Sequence, residues 1–452
     1  MGGAGRIRGR HLQKVRTESP HRKFVMALGF RFDAIRRALG IRNYRIYTSG
    51  NIVAHFGIWA YRIGLLSLTW TLTHSAFWLG VMSMADLFPT VVLSPLAGAF
   101  TERFNRLLSM RFTAIFTALQ SAVLAVMCLT GAVSIWPVFA LALLLGVVSA
   151  INHPMRLVIV TNLVTRDAVA SALAINSLVF NVARVAGPGI AGGIIAAFAG
   201  DGSLLGTAIV FVVCAAGHVV FTAALFKVKM TSLTIPKSAG SLRDIPTELA
   251  QGFRYAARHP GIGPLLIILF GVGVTARGYV DLFAGYVDTV FRLDEDAFGL
   301  LVASVGLGAV AGGLWLAQRG HVQGLTRLVL AYILVLACVL IAFTLTDSFY
   351  FALICVFVGG FAQTVAGTGE HQLIQASVDE RLRGRVVSLY GSVSRGTPAI
   401  GALVTGWIGD QFGLRIPIAG GAVLCIGVWA WAFSIRHQLA DALETPPVER
   451  GY

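Results

Sequence analysis

The sequence predicts an all-α integral membrane protein in which twelve transmembrane helices form two pseudo-symmetric six-helix bundles. Three observations support this fold class. The 452 residues are 56% hydrophobic and only 13% charged, which is about half the charged fraction of an average soluble domain. Apolar runs of about 20 residues, the length that crosses a hydrocarbon core, recur along the chain. Finally, a polar segment near the middle of the chain separates six of these runs from the other six.

The apolar runs are predicted to be helices because they lack the period-2 alternation of barrel strands. We expect the twelve spans at residues 46–72, 76–99, 107–129, 135–156, 168–198, 203–226, 262–287, 297–316, 325–346, 348–370, 385–409 and 416–435. The chain then divides into a basic N-terminal tail (1–45), an N-terminal six-helix bundle (46–226), a linker (227–261), a C-terminal six-helix bundle (262–436) and a C-terminal tail (437–452).

The distribution of Lys and Arg predicts that both termini and the linker are cytoplasmic. Twelve spans place both termini on one side of the membrane, and the loops on that side carry most of the basic loop residues. The opposite loops hold only Arg292 and Arg415, beside several acids. This positive-inside bias explains the net charge of +15 together with the basic tail. We therefore expect no nucleic-acid partner, although such a charge in a soluble protein would suggest one.

The N-terminal tail is the most basic part of the chain. Residues 21–40 place apolar side chains at helical spacing between basic ones, a pattern typical of a helix that lies on an anionic membrane surface. Two alternatives stay open: the tail is disordered, or translation starts at Met26 and residues 1–25 are not made.

The two halves of the chain share a plan, which predicts a duplicated six-helix unit. Gly98 has a counterpart 214 residues later at Gly312, and the loop 162–167 matches the loop 376–381 at the same offset. After each of these loops, a span carries an arginine followed by a proline. Many secondary transporters are built from such repeats, with the substrate site between the halves near the middle of the membrane.

The hinge between spans 2 and 3, GAFTERFNR, resembles the signature that the major facilitator superfamily carries at this place. That signature is a glycine, three residues, an acid, an arginine and further basic residues. Here the matching residues are Gly98, Glu102, Arg103 and Arg106. The segments 152–193 and 375–410 are similar to a bacterial exporter branch of the superfamily, which includes enterobactin-exporter-like and macrolide-efflux-like proteins.

The resemblance extends from about Arg42 to Arg436 and implies a secondary active transporter that works by alternating access. It implies export of amphipathic organic molecules, of siderophore or drug type, across a bacterial cytoplasmic (inner) membrane. The protein is expected to be a multi-pass monomer in membrane lipid, with a small-molecule substrate.

The resemblance also implies a cytoplasmic gate at the hinge. Gly98 would let span 2 approach span 11 closely, and Glu102 would face the positive N-terminal end of span 11 and the nearby Arg383 or Arg385. In the alternative interpretation, the hinge arginines only fix the orientation of the protein in the membrane. In the second half Leu316 occupies the place of the acid, so the gate is expected to be asymmetric.

A second gate element is expected from the repeat. Arg156 and Glu370 lie 214 residues apart, at the cytoplasmic ends of spans 4 and 10. Pseudo-symmetry places such a pair across the central axis, and their opposite charges predict a cytoplasmic latch. The alternative is that they are two unrelated interfacial charges.

Ionisable side chains at membrane depth are costly, and each is therefore a functional candidate. The candidates for a substrate and proton pathway, with one aromatic neighbour, are His55, Trp59, Arg62, Asp86, Arg184, Arg277, Asp281 and Arg395. Arg62 and Asp86 lie at similar depth on adjacent spans, which predicts an ion pair. Arg277 and Asp281 are four residues apart and should share one helix face.

These charges have two interpretations. In one, they pair off to fix the rotation of the helices. In the other, four arginines leave the central cavity positive, which favours anionic or zwitterionic substrates, aromatic ones in particular. An acid beside an arginine also exchanges protons as its surroundings change, which predicts proton coupling through Asp86 first and Asp281 second.

Two departures from the pattern of the superfamily's antiporters count against proton antiport. Antiporters of the superfamily often carry an arginine within span 4, and this span has none. The sequence GPGIAGG in span 5 is a near match to their glycine-proline motif, and Gly187 and Pro188 are expected to kink the helix.

Rival functions are a facilitator or lysolipid translocator without proton coupling and, from another class, a non-transporting membrane scaffold or sensor. Charges at mid-membrane argue against a scaffold. An enzyme is not expected, because the chain lacks a Walker loop, an HExxH motif and a GxSxG motif. No cluster of His, Cys and acids has the spacing of a metal site, and no cofactor is expected.

Overall fold

A computed structural model describes residues 36–103, 105–198, 204–229, 245–293, 295–319, 321–380 and 382–444. The N-terminal tail up to residue 35 lies outside these ranges, and so does most of the expected helix at residues 21–40. Within the described ranges the chain is almost entirely helical and contains no β-strand.

The first half of the protein contributes six long helices, for which we keep the span numbers. They are span 1 (Arg42–Thr73), span 2 (Ala76–Arg103), span 3 (Arg106–Thr130), span 4 (Ile135–Asn162), span 5 (Val169–Ala197) and span 6 (Leu205–Lys227). Local signals set some of the ends. The side chain of Asn105 accepts hydrogen bonds from two N–H groups at the start of span 3, as an N-cap does. Gly131 ends that helix in the left-handed conformation, at φ 69°, which glycine adopts without strain.

The second half repeats this arrangement. It comprises span 7 (residues 262–291), span 8 (Glu295–Arg319), span 9 (Leu325–Leu345), span 10 (Phe349–Ser377), span 11 (Arg383–Phe412) and span 12 (Arg415–Ser434). Two shorter helices accompany these spans. The linker helix, Ile245–Arg258, precedes span 7, and the C-terminal helix, Arg436–Glu444, follows span 12.

The twelve-helix prediction is confirmed. Eleven helices among the described residues are long and apolar enough to cross a membrane. Span 11 is the twelfth and has 30 residues, but its glycines and hydroxyl side chains make it less apolar than the others. Every helix lies within a few residues of its expected span, except that spans 4 and 10 extend further.

Span 7 departs from regular α-helix. A π-helical segment, Gly273–Arg277, is followed by a 3₁₀ segment, Gly278–Leu282, and a second π-helical segment ends the span. The backbone here lies against span 11 so closely that a Cβ on Gly278 would be 2.5 Å from the backbone nitrogen of Ala402. Such local changes of helical winding are frequent at functional sites, and they change which side chains share a face.

The two halves meet along two pairs of helices: span 2 packs against span 11, and span 5 packs against span 8. Glycines permit the close approach in both pairs. A Cβ on Gly192 of span 5 would lie 2.6 Å from the Cα of Gly299 in span 8, and one on Gly80 of span 2 would lie 2.5 Å from the Cα of Leu403 in span 11. Small residues at such crossings allow the backbones to pack without lipid between them.

Candidate functional site

A cavity of about 320 Å³ lies between the two halves. Its wall is formed by spans 1, 2 and 5 of the first half and spans 7, 8, 10 and 11 of the second. The charged residues in this wall, among the residues that the structure describes, are Arg62, Arg184, Arg277, Asp281 and Arg395. All five were sequence candidates, and the candidate Trp59 also lines the cavity. His55 and Asp86 lie outside its lining.

An ion pair across the cavity joins the two halves. Nη2 of Arg62, in span 1, donates to both carboxylate oxygens of Asp281, in span 7, at 3.1 and 3.3 Å. The two side chains are 27% and 11% exposed, so the pair is shielded but in contact with the cavity. The expected partner of Arg62 was Asp86, and the structure replaces it with an acid from the opposite half.

Asp86 is the second acid near Arg62. Its side chain is partly buried in span 2, and its charge acts on both Arg62 and Asp281. It makes no hydrogen bond with any described residue, and no described cation lies within ion-pair distance. Arg62 therefore lies in the electrostatic field of two carboxylates, one from each half, and bonds the one that is farther along the chain.

A second ion pair is buried within the second half. Nη2 of Arg277 donates to Oε2 of Glu370, in span 10, at 3.0 Å, and the two side chains are 6% and 0% exposed. The other carboxylate oxygen of Glu370 is buried without a hydrogen-bond partner in the described structure. Arg277 thus bonds within its own half, whereas Asp281 bonds across the cavity. Both residues nevertheless line the same cavity, and the backbone between them is π-helical and then 3₁₀ rather than α-helical.

The expected latch between Arg156 and Glu370 is not formed. Arg156 contacts the ring nitrogens of His55, and its guanidinium lies 5.7 Å from the ring centroid of Phe221. Each residue of the expected pair is held inside its own half, Arg156 by spans 1 and 6 and Glu370 by Arg277.

The other two cavity arginines have different surroundings. The guanidinium of Arg184 lies 6.0 Å from the ring centroid of Trp59, at the outer limit of a cation–π contact. Trp59 is positioned from span 5 as well, because Gly187 brings that helix so close that a Cβ would lie 2.7 Å from the Trp59 Cβ. Span 5 remains helical through Pro188, which lines the cavity.

The end of the protein that carries residues 73–75 and 413–414, which we call the distal end, is held by contacts between the halves. Asp410 of span 11 accepts hydrogen bonds from Ser75 Oγ at 2.5 Å and from the backbone N–H of Ala76 at 2.6 Å. It therefore caps the first turn of span 2. Asp288 of span 7 accepts a hydrogen bond from Trp70 Nε1 at 2.7 Å.

Sequence reasoning missed Asp410 as a site residue, although a signal was present. Gly406 and Asp410 repeat the glycine, three residues, acid spacing of Gly98 and Glu102. Gly406 lies against the start of span 2, since a Cβ there would be 2.2 Å from the carbonyl oxygen of Ala76. The same spacing thus places an acid of span 11 at the N-terminus of span 2.

The expected cytoplasmic gate is described only in part. The side chains of Gly98, Glu102 and Arg103 lie outside the described residues, and the role of this segment stays a prediction. Arg106 begins span 3. Arg383 forms an exposed ion pair with Glu380 at 3.8 Å, and Arg385 bonds Gln251 of the linker helix. Within the described ranges, no group of three His, Cys or acidic residues is placed to hold a metal ion.

Sequence comparisons relate this chain to a family of membrane proteins and to known transporters. A family model described as transmembrane secretion effector matches residues 38–450. The staphyloferrin A transporter of Staphylococcus aureus (strain NCTC 8325 / PS 47) is 24% identical over 387 residues, which cover 84% of this chain and 94% of that protein. The enterobactin exporter EntS of Salmonella typhi is 27% identical over 205 residues, 44% of this chain and 48% of that protein.

The fold is shared with solved transporter structures. A bacterial homolog of the human lysosomal transporter Spinster, in an inward-facing and unoccupied conformation, has a TM-score of 0.68 and 17% identity. The match covers 95% of this chain and 100% of that chain. At this identity, the likeness shows the fold alone.

Proposed function

Because the chain belongs to the transmembrane secretion effector family of major facilitator transporters, we propose that it is a proton-coupled exporter of amphipathic organic molecules. It works by alternating access, in a bacterial cytoplasmic membrane with both termini on the cytoplasmic side. Transport of siderophore-like molecules is supported by the relatives named above. The cavity volume of about 320 Å³ is at the lower end of the range for small-molecule sites.

The observation that carries the proposal is the position of Arg62 between two acids. In the described conformation it bonds Asp281 across the cavity at 3.1 Å, while Asp86 on its own half is left without a hydrogen bond from the described residues. A proton that binds to Asp281 removes the charge that holds Arg62. Arg62 then pairs with Asp86, and this link between the halves is broken.

This exchange couples proton binding to the conformation of the protein. Arg62–Asp281 is a contact between the halves, whereas Arg62–Asp86 is a contact within one half. The first pairing favours the described state, in which Asp410 and Asp288 also join the halves at the distal end. The second pairing favours separation of the halves at the cavity, which is the kind of two-state rearrangement that alternating access requires.

The test uses inside-out vesicles with an acidified lumen and a pH-sensitive dye inside. A carboxylate siderophore, a catecholate siderophore, a macrolide and a lysophospholipid are added outside in turn, and substrate-dependent loss of luminal protons is recorded. We expect a response to at least one compound in the wild-type protein. Asp281→Asn and Asp86→Asn should each abolish it, because each removes one of the two positions between which Arg62 moves.

Asp441→Asn is the matched control, since Asp441 is an exposed acid on the C-terminal helix and lies outside the cavity. It should retain the wild-type response. Proton release that persists in both Asp281→Asn and Asp86→Asn would contradict the exchange of Arg62. Accumulation of labelled compound without any proton release would instead support the uncoupled facilitator.

A further inference from the structure

The four arginines in the cavity wall differ in how their charge is balanced. Arg62 is balanced by Asp281 at 3.1 Å, and Arg277 is balanced by Glu370 at 3.0 Å. These two pairs account for the acids that bond cavity arginines in the described structure. Arg184 and Arg395 remain, and neither forms an ion pair or a hydrogen bond with any described residue.

Arg184 and Arg395 occupy corresponding places in the two halves. Arg184 lies in span 5 four residues before Pro188, and Arg395 lies in span 11 three residues before Pro398. Both prolines line the same cavity as the arginines. The two unbalanced charges therefore face one space from opposite halves of the protein.

Both arginines are accessible from the cavity. Arg395 is exposed and Arg184 is partly exposed, so a molecule in the cavity has access to both guanidinium groups. The positive charge of Arg62 acts on Arg184 and repels it. A guanidinium in this setting favours a carboxylate, which it binds through two parallel N–H···O bonds.

From this arrangement we infer that the transported molecule carries two separated carboxylate groups, one bound by Arg184 and the other by Arg395. The inference rests on the proposed transport function and names its substrate class. The part of the molecule between the carboxylates lies against the apolar wall, which includes Trp59, Leu66 and Val302. Ring or alkyl groups are suited to this surface.

The two-anion requirement gives the substrate a role in bringing the halves together. Because one arginine belongs to each half, a molecule with a single anion engages one half only. A molecule with two anions bridges both, and its second contact is intramolecular once the first has formed. Each charge-assisted contact strengthens binding by about 10- to 100-fold.

The test is a binding measurement on the purified full chain in detergent by isothermal titration. The probes are α,ω-alkanedioates of increasing chain length, and the monomethyl ester of each diacid is its matched mono-anion of nearly equal size. We expect one range of chain lengths for which the diacid binds about 10- to 100-fold more tightly than its ester. This preference identifies the spacing between the two carboxylate sites.

Four variants connect the preference to the arginines. Arg184→Gln and Arg395→Gln should each remove it, so that diacid and ester bind with similar affinity, whereas Arg184→Lys should retain part of it. Arg436→Gln is the control, since Arg436 lies on the C-terminal helix and outside the cavity. Ester binding shows that each variant is folded.

Three results would overturn the inference: equal binding of diacid and ester at every length, no measurable binding of any diacid, or a preference that persists in both glutamine variants. The experiment has no proton gradient and is separate from the vesicle test. A diacid preference without proton coupling in vesicles would leave the two-anion site in place and contradict only the proposed coupling. Proton release without a diacid preference would support the proposed coupling and contradict the two-anion site.

Discussion

The Arg277–Glu370 pair allows a quantitative test of how charge is held inside the second half. The two side chains are 6% and 0% exposed, with 3.0 Å between Nη2 and Oε2. Replacing Glu370 with methionine leaves a buried guanidinium that cannot lose its proton. Removing one partner of a buried ion pair typically costs about 3–5 kcal/mol, and an unpaired charge at the centre of a membrane helix costs about 2.5–3.5 kcal/mol on insertion scales. Both values predict that Glu370→Met lowers the free energy of unfolding by about 3 kcal/mol.

The double variant gives the sharper expectation. With Arg277→Met added, no charge is buried, and well-packed apolar replacements of a buried pair are often neutral or stabilising. We expect the free energy of unfolding of the double variant to lie within about 1 kcal/mol of that of the wild-type protein. Arg277→Met alone should be destabilised at neutral pH and should recover partly in acid, because Glu370 is then able to bind a proton, whereas Glu370→Met should show no such recovery.

The assay is thermal unfolding of purified protein in one detergent at one scan rate, since membrane proteins of this size often unfold irreversibly. A loss of about 3 kcal/mol corresponds to a fall of roughly 3–6 °C in the apparent melting temperature. The four proteins form a double-mutant cycle. The reasoning is refuted if the double variant is as unstable as the sum of the two single variants, or if Glu370→Met melts with the wild-type protein.

Two further predictions concern contacts between the halves. Asp410→Ala removes the cap of span 2, which is worth about 0.5–2 kcal/mol, so opening of the distal end should be about 2- to 30-fold more frequent. The measurement is the labelling rate of Leu66→Cys, a cavity position, by an impermeant thiol reagent in an otherwise cysteine-free chain; an unchanged rate would show that Asp410 does not hold this end. Gly192→Ala should destabilise the described state by about 1–3 kcal/mol, because its Cβ would lie 2.6 Å from the Cα of Gly299. Gly193→Ala, where a Cβ meets nothing within 4 Å, is the control in the same melting assay, and equal melting of the two variants would contradict the packing argument.

The sequence by itself determined the twelve helices, because a run of about 20 apolar residues has few alternatives in a membrane. It also carried the family signature, and the expected resemblance to exporters of the major facilitator superfamily is confirmed. Span 11 shows how far such reasoning extends: its composition is only moderately apolar, and it was still predicted among the apolar runs, at residues 385–409. Six of the eight intramembrane candidates line the cavity, because charge at membrane depth is itself a strong signal.

The tertiary structure alone decided which charges pair. Similar depth in the membrane favoured an ion pair of Arg62 with Asp86, and the internal repeat favoured a pair of Arg156 with Glu370. The close approach of Gly278 to span 11 accompanies a change of winding in span 7, which directs Asp281 to Arg62 and Arg277 to Glu370. Ion pairs depend on distances of a few ångströms between helices far apart in the chain. Those distances arise from helix packing, both within each half and between the halves, which no local pattern of residues encodes.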